Sequence, residues 1–478
     1  MPLSRERIVP LIVAVALFME NMDSTVIATA LPAIAADIGT NPLALKLAVT
    51  SYLLALAIFI PISGWMADRF GARTIFSTAI VVFVLGSVGC AFAGALWHFV
   101  LARFIQGMGG AMMTPVGRLV LVRTIDKSKL VDAMALVTMP ALVGPLIGPP
   151  LGGFITTYAS WPWIFIINVP IGFLGFFLVS RFVENVRAEA PDPFDFIGMA
   201  LVGAAVAGLA FGSSVLGLGF LPHSLVVVLI VVGAAAAVAY VFYARRTPTA
   251  VIDLTLFRLP TFRAGVAGGF VFRIGAGALP FLLPLLLQIG LGMTPFQSGL
   301  ITFATAIGAI TMKAAAARIL RRFGFPRTLT VNALLAAASL GACAAFGPGT
   351  PIWVMVAVLL VGGLFRSLQF TSMNTIAFAE VDMRRMSRAT SLASVAQQLA
   401  ISTGVAVGAL VVETVLRFQQ HPSLLAPDFP PAFVTVAVIA AASALIFAWL
   451  PPDAGKELAA RSPAGPPEAE KPADQRNA

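Results

Sequence analysis

Apolar residues in this chain run in long blocks of about 20 or more, and the charged residues collect in short clusters between those blocks. Strict alternation, the mark of half-buried strands, is not the ruling pattern. A helix that crosses a bilayer needs about 20 mainly apolar residues. Lipid offers no partner to an unpaired backbone group, so each such block is expected to be helical. The pattern predicts fourteen spans: 8–36, 45–67, 74–95, 97–122, 131–158, 162–182, 195–217, 223–244, 262–291, 296–317, 327–347, 351–378, 388–416 and 431–450.

Composition supports that reading. Of 478 residues, 59% are hydrophobic and 11% charged, against about 25% charged in a soluble globular protein. The net charge of +10 does not mark a nucleic-acid binder, because Lys and Arg sit at the ends of apolar blocks and build no aromatic-interleaved patch. Their placement orients the spans instead. With the N-terminus in the cytoplasm, 24 of the 31 basic residues fall on cytoplasmic segments, Lys46 and Arg417 fall outside, and Arg103, Arg118, Arg273, Lys313 and Arg366 fall within spans. Positive charge is expected to gather on the cytoplasmic side. The two cysteines, Cys90 and Cys343, lie inside apolar blocks and read as small buried hydrophobes. Arg5 and Arg7 precede the first block, which is too long for a secretory leader and is read as a retained span.

An internal repeat organises the spans. Leu31-Pro32 recurs as Leu283-Pro284, 252 residues later, and Arg69-Phe70-Gly71 recurs as Arg322-Phe323-Gly324, 253 residues later. Six spans occupy only about 180 residues, so the offset implies two six-span halves with spans 195–217 and 223–244 inserted between them. The expected division is an N-terminal bundle over 1–182, a linker with two extra helices over 183–261, a C-terminal bundle over 262–450 and a disordered cytoplasmic tail over 451–478. Such repeats commonly flank a transport pathway. No chemistry is legible in the two added helices, and packing at the edge of the bundles is their expected role.

Three motifs carry more specific information. Gly64-Trp65-Met66-Ala67-Asp68-Arg69-Phe70-Gly71-Ala72-Arg73 ends the second span and resembles the G-x-x-x-D-R-x-G-x-R loop of major facilitator transporters. Gly64 would let a neighbouring helix approach closely, Gly71 would support a tight turn, and Asp68, badly placed at the C-terminus of its own helix, calls for an outside partner. Leu101-Ala102-Arg103-Phe104-Ile105-Gln106-Gly107 puts an Arg inside the fourth span, where a charge is costly and usually functional. Gly144-Pro145-Leu146-Ile147-Gly148-Pro149-Pro150-Leu151-Gly152-Gly153 in the fifth span resembles the antiporter motif of the same superfamily, which is associated with export. Its glycines allow close packing, and its prolines allow the helix to bend.

Further stretches narrow the resemblance: 21–32, 163–172, Phe194-Asp195-Phe196-Ile197-Gly198, Ile252-Asp253-Leu254 and Leu256-Phe257-Arg258 are similar to the fourteen-span drug:proton antiporters. Gly117-Arg118, Tyr158-Ala159-Ser160-Trp161 and residues 273–293 resemble its MdtD-type and HsrA-type branch. The resemblance implies an all-helical fold of two pseudo-symmetric bundles plus two helices in the bacterial cytoplasmic membrane, with both termini in the cytoplasm. It implies a monomeric exporter of hydrophobic or amphiphilic molecules that works by alternating access. The proton gradient is the expected energy source, with no bound cofactor, metal or nucleic acid.

Proton exchange needs a carboxylate whose protonation changes with the cycle. Asp23 matches the first-helix acid of the family and is the first choice. Glu20, one turn earlier, Glu413 in span 388–416 and Arg103 complete the coupling candidates. Arg273 stands 253 residues after Glu20 and is expected across the cavity from Glu20 or Asp23. With Arg366, Gln106 and Asn374 it forms the candidate cargo surface, with Phe18, Phe272, Phe281 and Phe370 as a candidate apolar lining. These cations leave an organic anion or metabolite open as cargo. The second half has Leu320-Arg321-Arg322 where the repeat would want Asp-Arg, so the charge latch is not expected twice. His98, His223 and His421 stand apart, and neither an H-E-x-x-H pair nor a G-x-x-x-x-G-K-[ST] loop is present, which argues against metalloenzyme chemistry and direct ATP drive.

Overall fold

The computed structural model describes residues 5–125, 130–187, 194–216, 218, 220–247, 250–382 and 385–457. Lys127, Lys129, Arg384 and the tail from residue 458 onward lie outside the described residues.

Every regular element among the described residues is helical. The long ones are α1 (Ile8–Thr29), α2 (Pro42–Phe70), α3 (Ala72–Ala91), α4 (Leu96–Thr124), α5 (Leu130–Tyr158), α6 (Trp163–Phe182), α7 (Phe196–Val215), α8 (His223–Arg246), α9 (Pro260–Gly290), α10 (Pro295–Phe323), α11 (Phe325–Ala345), α12 (Ile352–Ala377), α13 (Met386–Phe418) and α14 (Ala426–Ala448). Twelve are both long and apolar enough to cross a membrane. The other two, α4 and α5, have 29 residues each, about 43 Å at 1.5 Å per residue, and pack among the rest.

Sequence and structure disagree mainly at helix ends. The block expected over 296–317 continues as helix to Phe323, because Arg318, Arg321 and Arg322 leave the apolar zone without ending the helix. Its start is fixed locally: Thr294 caps the helix, Gln297 bonds back to the Thr294 backbone, and Pro295 opens the first turn. The first block divides near Ala30 into α1 and a short helix, Leu31–Asp37. The prolines of α5 leave it one continuous helix.

The pseudo-symmetry is visible in the packing. In the first bundle α1 packs on α5 and α6, α3 on α4 and α6, and α2 on α4. In the second, α9 packs on α13 and α14, α11 on α12 and α14, and α10 on α12. This is the same pattern moved on by eight helices. The bundles meet through α5 with α10 and α2 with α13, again related by that shift. The loop repeat also holds in the backbone: Gly71 and Gly324 both have positive φ, +97° and +75°, a conformation that favours glycine.

The two ends of this assembly differ. At the end carrying Lys46, Gly153 and Gly299 sit so close to α10 and α5 that an added Cβ would lie 2.3 Å from the Pro295 carbonyl oxygen and 2.4 Å from that of Pro149. There Gln288 Nε2 donates to the Thr29 carbonyl at 2.9 Å and the Phe296 amide donates to Thr157 Oγ1 at 3.1 Å. Toward the other end, Gly64 is exposed, with open space where a side chain would begin. The close helix approach expected at Gly64 is therefore absent here, because no helix among the described residues packs on that face of α2 in this conformation.

Of the inserted pair, α8 lies at the edge, packed on α7 and largely exposed, whereas α7 sits against both bundles. Val202, Val206 and Ala210 of α7 share one apolar cluster with Leu54 and Ala57 of α2 and Ala389, Leu392 and Val395 of α13. So α7 covers the seam between the bundles. The linker is pinned as well. Asp195 caps α7 through the Gly198 amide and accepts from Tyr243 Oη and the Val251 amide. Asp253 receives Arg385 Nη2 at 2.9 Å and Thr255 Oγ1 at 2.6 Å.

Candidate functional site

Four helices of the first bundle deliver a closed polar network into an apolar interior. Asp23 of α1, Ser87 of α3, Arg103 and Gln106 of α4 and Asn168 of α6 are all buried. Arg103 Nη1 lies 2.7 Å from Asp23 Oδ2. Gln106 Nε2 and Asn168 Nδ2 each donate to Asp23 Oδ1 at 2.8 Å, and both also reach Ser87 Oγ. The Arg103 guanidinium stacks over the Tyr52 ring, 4.3 Å from its centroid. A charge in this setting is tolerable only when paired and hydrogen-bonded, and Asp23 has three donors.

Glu20 stands differently. One turn before Asp23, it is only partly buried, and its Oε2 accepts one hydrogen bond, from Thr114 Oγ1 at 2.9 Å. Tyr52 closes the space beside it: a Cβ on Gly110 would lie 3.1 Å from Tyr52 Oη and 3.7 Å from Glu20 Cγ. The two acids expected to act together are thus held apart in character, one saturated and enclosed, the other lightly held and partly open.

In the second bundle the cations lack such partners. Arg273 Nη2 donates to Asn374 Oδ1 at 2.5 Å, and its guanidinium lies 5.7 Å from the Phe370 ring centroid. Asn374 is exposed although it sits inside α12. The expected pairing of Arg273 with Glu20 or Asp23 is not formed; α9 and α12 of one bundle supply its neighbours. Arg366 Nη2 reaches Thr305 Oγ1 at 3.3 Å. Among the described residues neither Arg273 nor Arg366 has a carboxylate partner. Phe370 remains partly open, whereas Phe272 and Phe281 are packing residues of the core. Lys313 is exposed on α10.

The motifs resolve into contacts. Asp68 finds its outside partner in Arg123, at the far end of α4; Arg69, in the last turn of α2, and Arg73, in the first turn of α3, stand on either side of the Gly71 turn. In the fifth helix, Gly144, Gly148 and Gly152 seat α5 against Asn21, Thr25 and Val26 of α1, while Gly153 faces the other bundle. Pro149 accepts a hydrogen bond from Thr29 Oγ1 at 3.4 Å, and Pro145 lies one turn earlier on the same helix. Glu413 is near the Lys46 end of α13, where its Oε1 accepts from Arg417 Nη2 at 2.8 Å and its Oε2 lies 3.7 Å from Lys46 Nζ.

Sequence reasoning missed Ser87, Asn168, Tyr52, Thr114 and Lys46. Asn168 and Lys46 carried the signal that could have found them, a strongly polar residue within or bordering an apolar block. Ser87, Thr114 and Tyr52 carried none, because hydroxyl groups are common in spans.

Known proteins share this architecture. The family model for the Major Facilitator Superfamily matches residues 13–267, 194–404 and 265–475. The chain is 40% identical over 454 residues to a protein of Salmonella paratyphi A named as a putative multidrug resistance protein, MdtD, covering 94% of this chain and 95% of that one. It is equally 40% identical over 456 residues to MdtD of Klebsiella pneumoniae subsp. pneumoniae, with 94% and 96% covered. Among solved structures, a bacterial homologue of the human lysosomal transporter Spinster, inward-facing and unoccupied, superimposes with a TM-score of 0.66 at 16% identity over 97% of this chain and 100% of that one. A D-xylose–proton symporter does so with 0.66 at 16% identity over 94% and 98%. At that identity the two structures speak for the fold alone. The repeated helix pattern, the loop and antiporter motifs and the near full-length match to MdtD together establish that this chain belongs to the major facilitator superfamily.

Proposed function

We propose that this chain exports hydrophobic or amphiphilic small molecules across the bacterial cytoplasmic membrane by alternating access, exchanging cargo for protons. The name carried by its MdtD relatives supports multidrug efflux. With both termini in the cytoplasm, the tight Lys46 end faces outward and the open space at Gly64 faces inward, a stance ready to take cargo from the cell. In this reading the chain works as a monomer, residues 1–182 and 262–450 act as the moving halves, and Asp68–Arg123 steadies the inner loop.

One observation carries the coupling assignment: Glu20 is partly open and held by a single hydroxyl, beside an Asp23 carboxylate that already has three donors. A proton reaching Asp23 would have to displace a guanidinium and two amides. Among the described residues, a proton reaching Glu20 has only the Thr114 hydroxyl to displace. Glu20 therefore exchanges the proton, and Asp23 is the fixed counter-ion that lets Arg103 stay buried. Cargo and proton then compete for Glu20, and neutral or occupied states allow the bundles to rock.

A second reading, export of an organic anion, is favoured by Arg273 and Arg366, two buried cations without acidic partners among the described residues. Everted membrane vesicles separate the readings and test the first. Uptake of ethidium that stops when an uncoupler collapses the proton gradient supports cation-tolerant antiport, and uptake of carboxyfluorescein instead supports the anion reading. Uptake that persists after collapse and needs ATP overturns both.

A further inference from the structure

We propose that Lys46 is a positioning residue of the transport cycle, a keystone that holds the outer seam shut by joining both bundles and the inserted helix α7. The Lys46 side chain is fully buried, yet it stands on the first turn of a helix at the membrane's edge, where a lysine normally reaches water. Its ammonium lies 3.7 Å from Glu413 Oε2 of α13 and 3.4 Å from the Leu216 carbonyl, at the end of α7. Both partners are outside its own bundle. Glu413 Oε1 is held by Arg417, which is largely exposed. The charged groups facing Lys46 are thus Glu413 and, behind it, Arg417; α7 contributes only its carbonyl.

A structural ion pair inside one bundle, such as Arg103 with Asp23, survives every rocking motion. Lys46 cannot keep its partners when the seam opens, because α2 and α13 move with opposite halves. Its pairing energy belongs to one conformation only and so shifts the balance between the two. The Leu216 carbonyl adds a role for the inserted pair. The apolar face of α7 covers the seam deeper down, and its end ties to the cation that closes the mouth. α7 is then a brace across the seam rather than filler at its edge, with α8 packed on its outer side. This inference goes beyond the efflux reading and does not need cargo or proton coupling to be correct.

The test is reaction from outside with a membrane-impermeant maleimide in spheroplasts, using Thr29→Cys as reporter. Thr29 is buried at the seam, and the native Cys90 and Cys343 are buried. Lys46→Met and Glu413→Gln should each raise the labelling rate about tenfold, equivalent to about 1.4 kcal/mol. Lys46→Arg, which keeps a cation able to donate to both Glu413 and the Leu216 carbonyl, should hold the labelling near the parent rate, which a mere packing role would not do. Amide hydrogen exchange over residues 212–216 should quicken in Lys46→Met and stay slow in Lys46→Arg, and the slow exchange of Lys46→Arg also reports intact folding. Unchanged labelling in both single variants, or labelling in Lys46→Arg as fast as in Lys46→Met, overturns the proposal. Unchanged exchange over 212–216 in Lys46→Met overturns the part given to α7. Because labelling needs no transport, failure here leaves the efflux reading standing, and the reverse also holds.

Discussion

The two bundles share one packing plan and treat buried charge in opposite ways. In the first, Arg103 is paired with Asp23, whose carboxylate also accepts from Gln106 and Asn168, although Arg103 Nε is left without a partner among the described residues. In the second, Arg273 occupies the place where the repeat sets Glu20, and it has an amide and an aromatic face for company. A satisfied pair is part of the scaffold. A buried cation without a carboxylate lowers the stability of the fold and stays free to meet an anion during the cycle. On the mechanism proposed above, Asp23–Arg103 belongs to the construction and Glu20, Arg273 and Arg366 to the work.

The largest effect should come from breaking the satisfied pair. Asp23→Asn leaves Arg103 buried without a counter-ion, a loss of about 3–5 kcal/mol. Thermal unfolding in detergent and the yield of folded protein should both fall sharply. Arg103→Gln should fail in the same way. If Asp23→Asn folds with parent stability, the assignment of that pair to the scaffold is wrong.

Removing an unsatisfied cation should do the reverse. Arg273→Gln should leave unfolding unchanged or slightly raised, because its buried charge has no carboxylate to strand, while transport of the cargo that uses it drops by about tenfold or more, a change of about 1.4 kcal/mol. Equal loss of stability and transport would place Arg273 with the scaffold. Next in size is the seam. Gly153→Ala sets a Cβ against the Pro295 carbonyl oxygen, and overpacking of this kind costs about 1–3 kcal/mol. The tight conformation should lose occupancy, read as faster labelling of Thr29→Cys from outside.

The smallest effect lies in the linker. The Asp253 carboxyl is partly buried, which alone would raise its pKa, but hydrogen bonds from Thr255 and Arg385 outweigh burial and hold it below the usual carboxylate range. A depressed acid stabilises the fold fully above its unfolded value, about 3.9, and the contribution is lost as pH falls through the lower folded value. For a pair still in contact with solvent, with Arg385 about one-third exposed, the gain is about 1 kcal/mol or less. Asp253→Asn should therefore cost little at pH 7 and nothing at low pH, measured by unfolding at both.

What the chain announced and what it concealed divide along physical lines. Membrane class, the order of the helices and the eight-helix shift were legible, because hydropathy and positive charge report directly on the bilayer. Gly71 and Gly324 announced their turns because positive φ leaves few other residues. The ends of α10 were not legible, since hydropathy measures the apolar slab rather than the helix. Asp23 was legible as a buried acid, but its saturation was not, because its enclosure depends on Asn168 and Gln106, which come from helices distant in sequence. Lys46 was passed over as an outer-loop cation because burial at a seam depends on two halves meeting, and no local pattern records that meeting. The partner of Arg273 was missed for a like reason, since Asn374 reaches it from a helix about 100 residues away.

The central claim is that Glu20 exchanges the proton and Asp23 does not. It is tested most directly by reconstituting Glu20→Gln and a folded, stability-checked Asp23→Asn in proteoliposomes and following ethidium movement against its gradient under an imposed pH difference. The account predicts that Glu20→Gln abolishes uphill movement yet retains downhill movement, with parent thermal stability. Uphill transport preserved in Glu20→Gln and lost in a fully stable Asp23→Asn would contradict it.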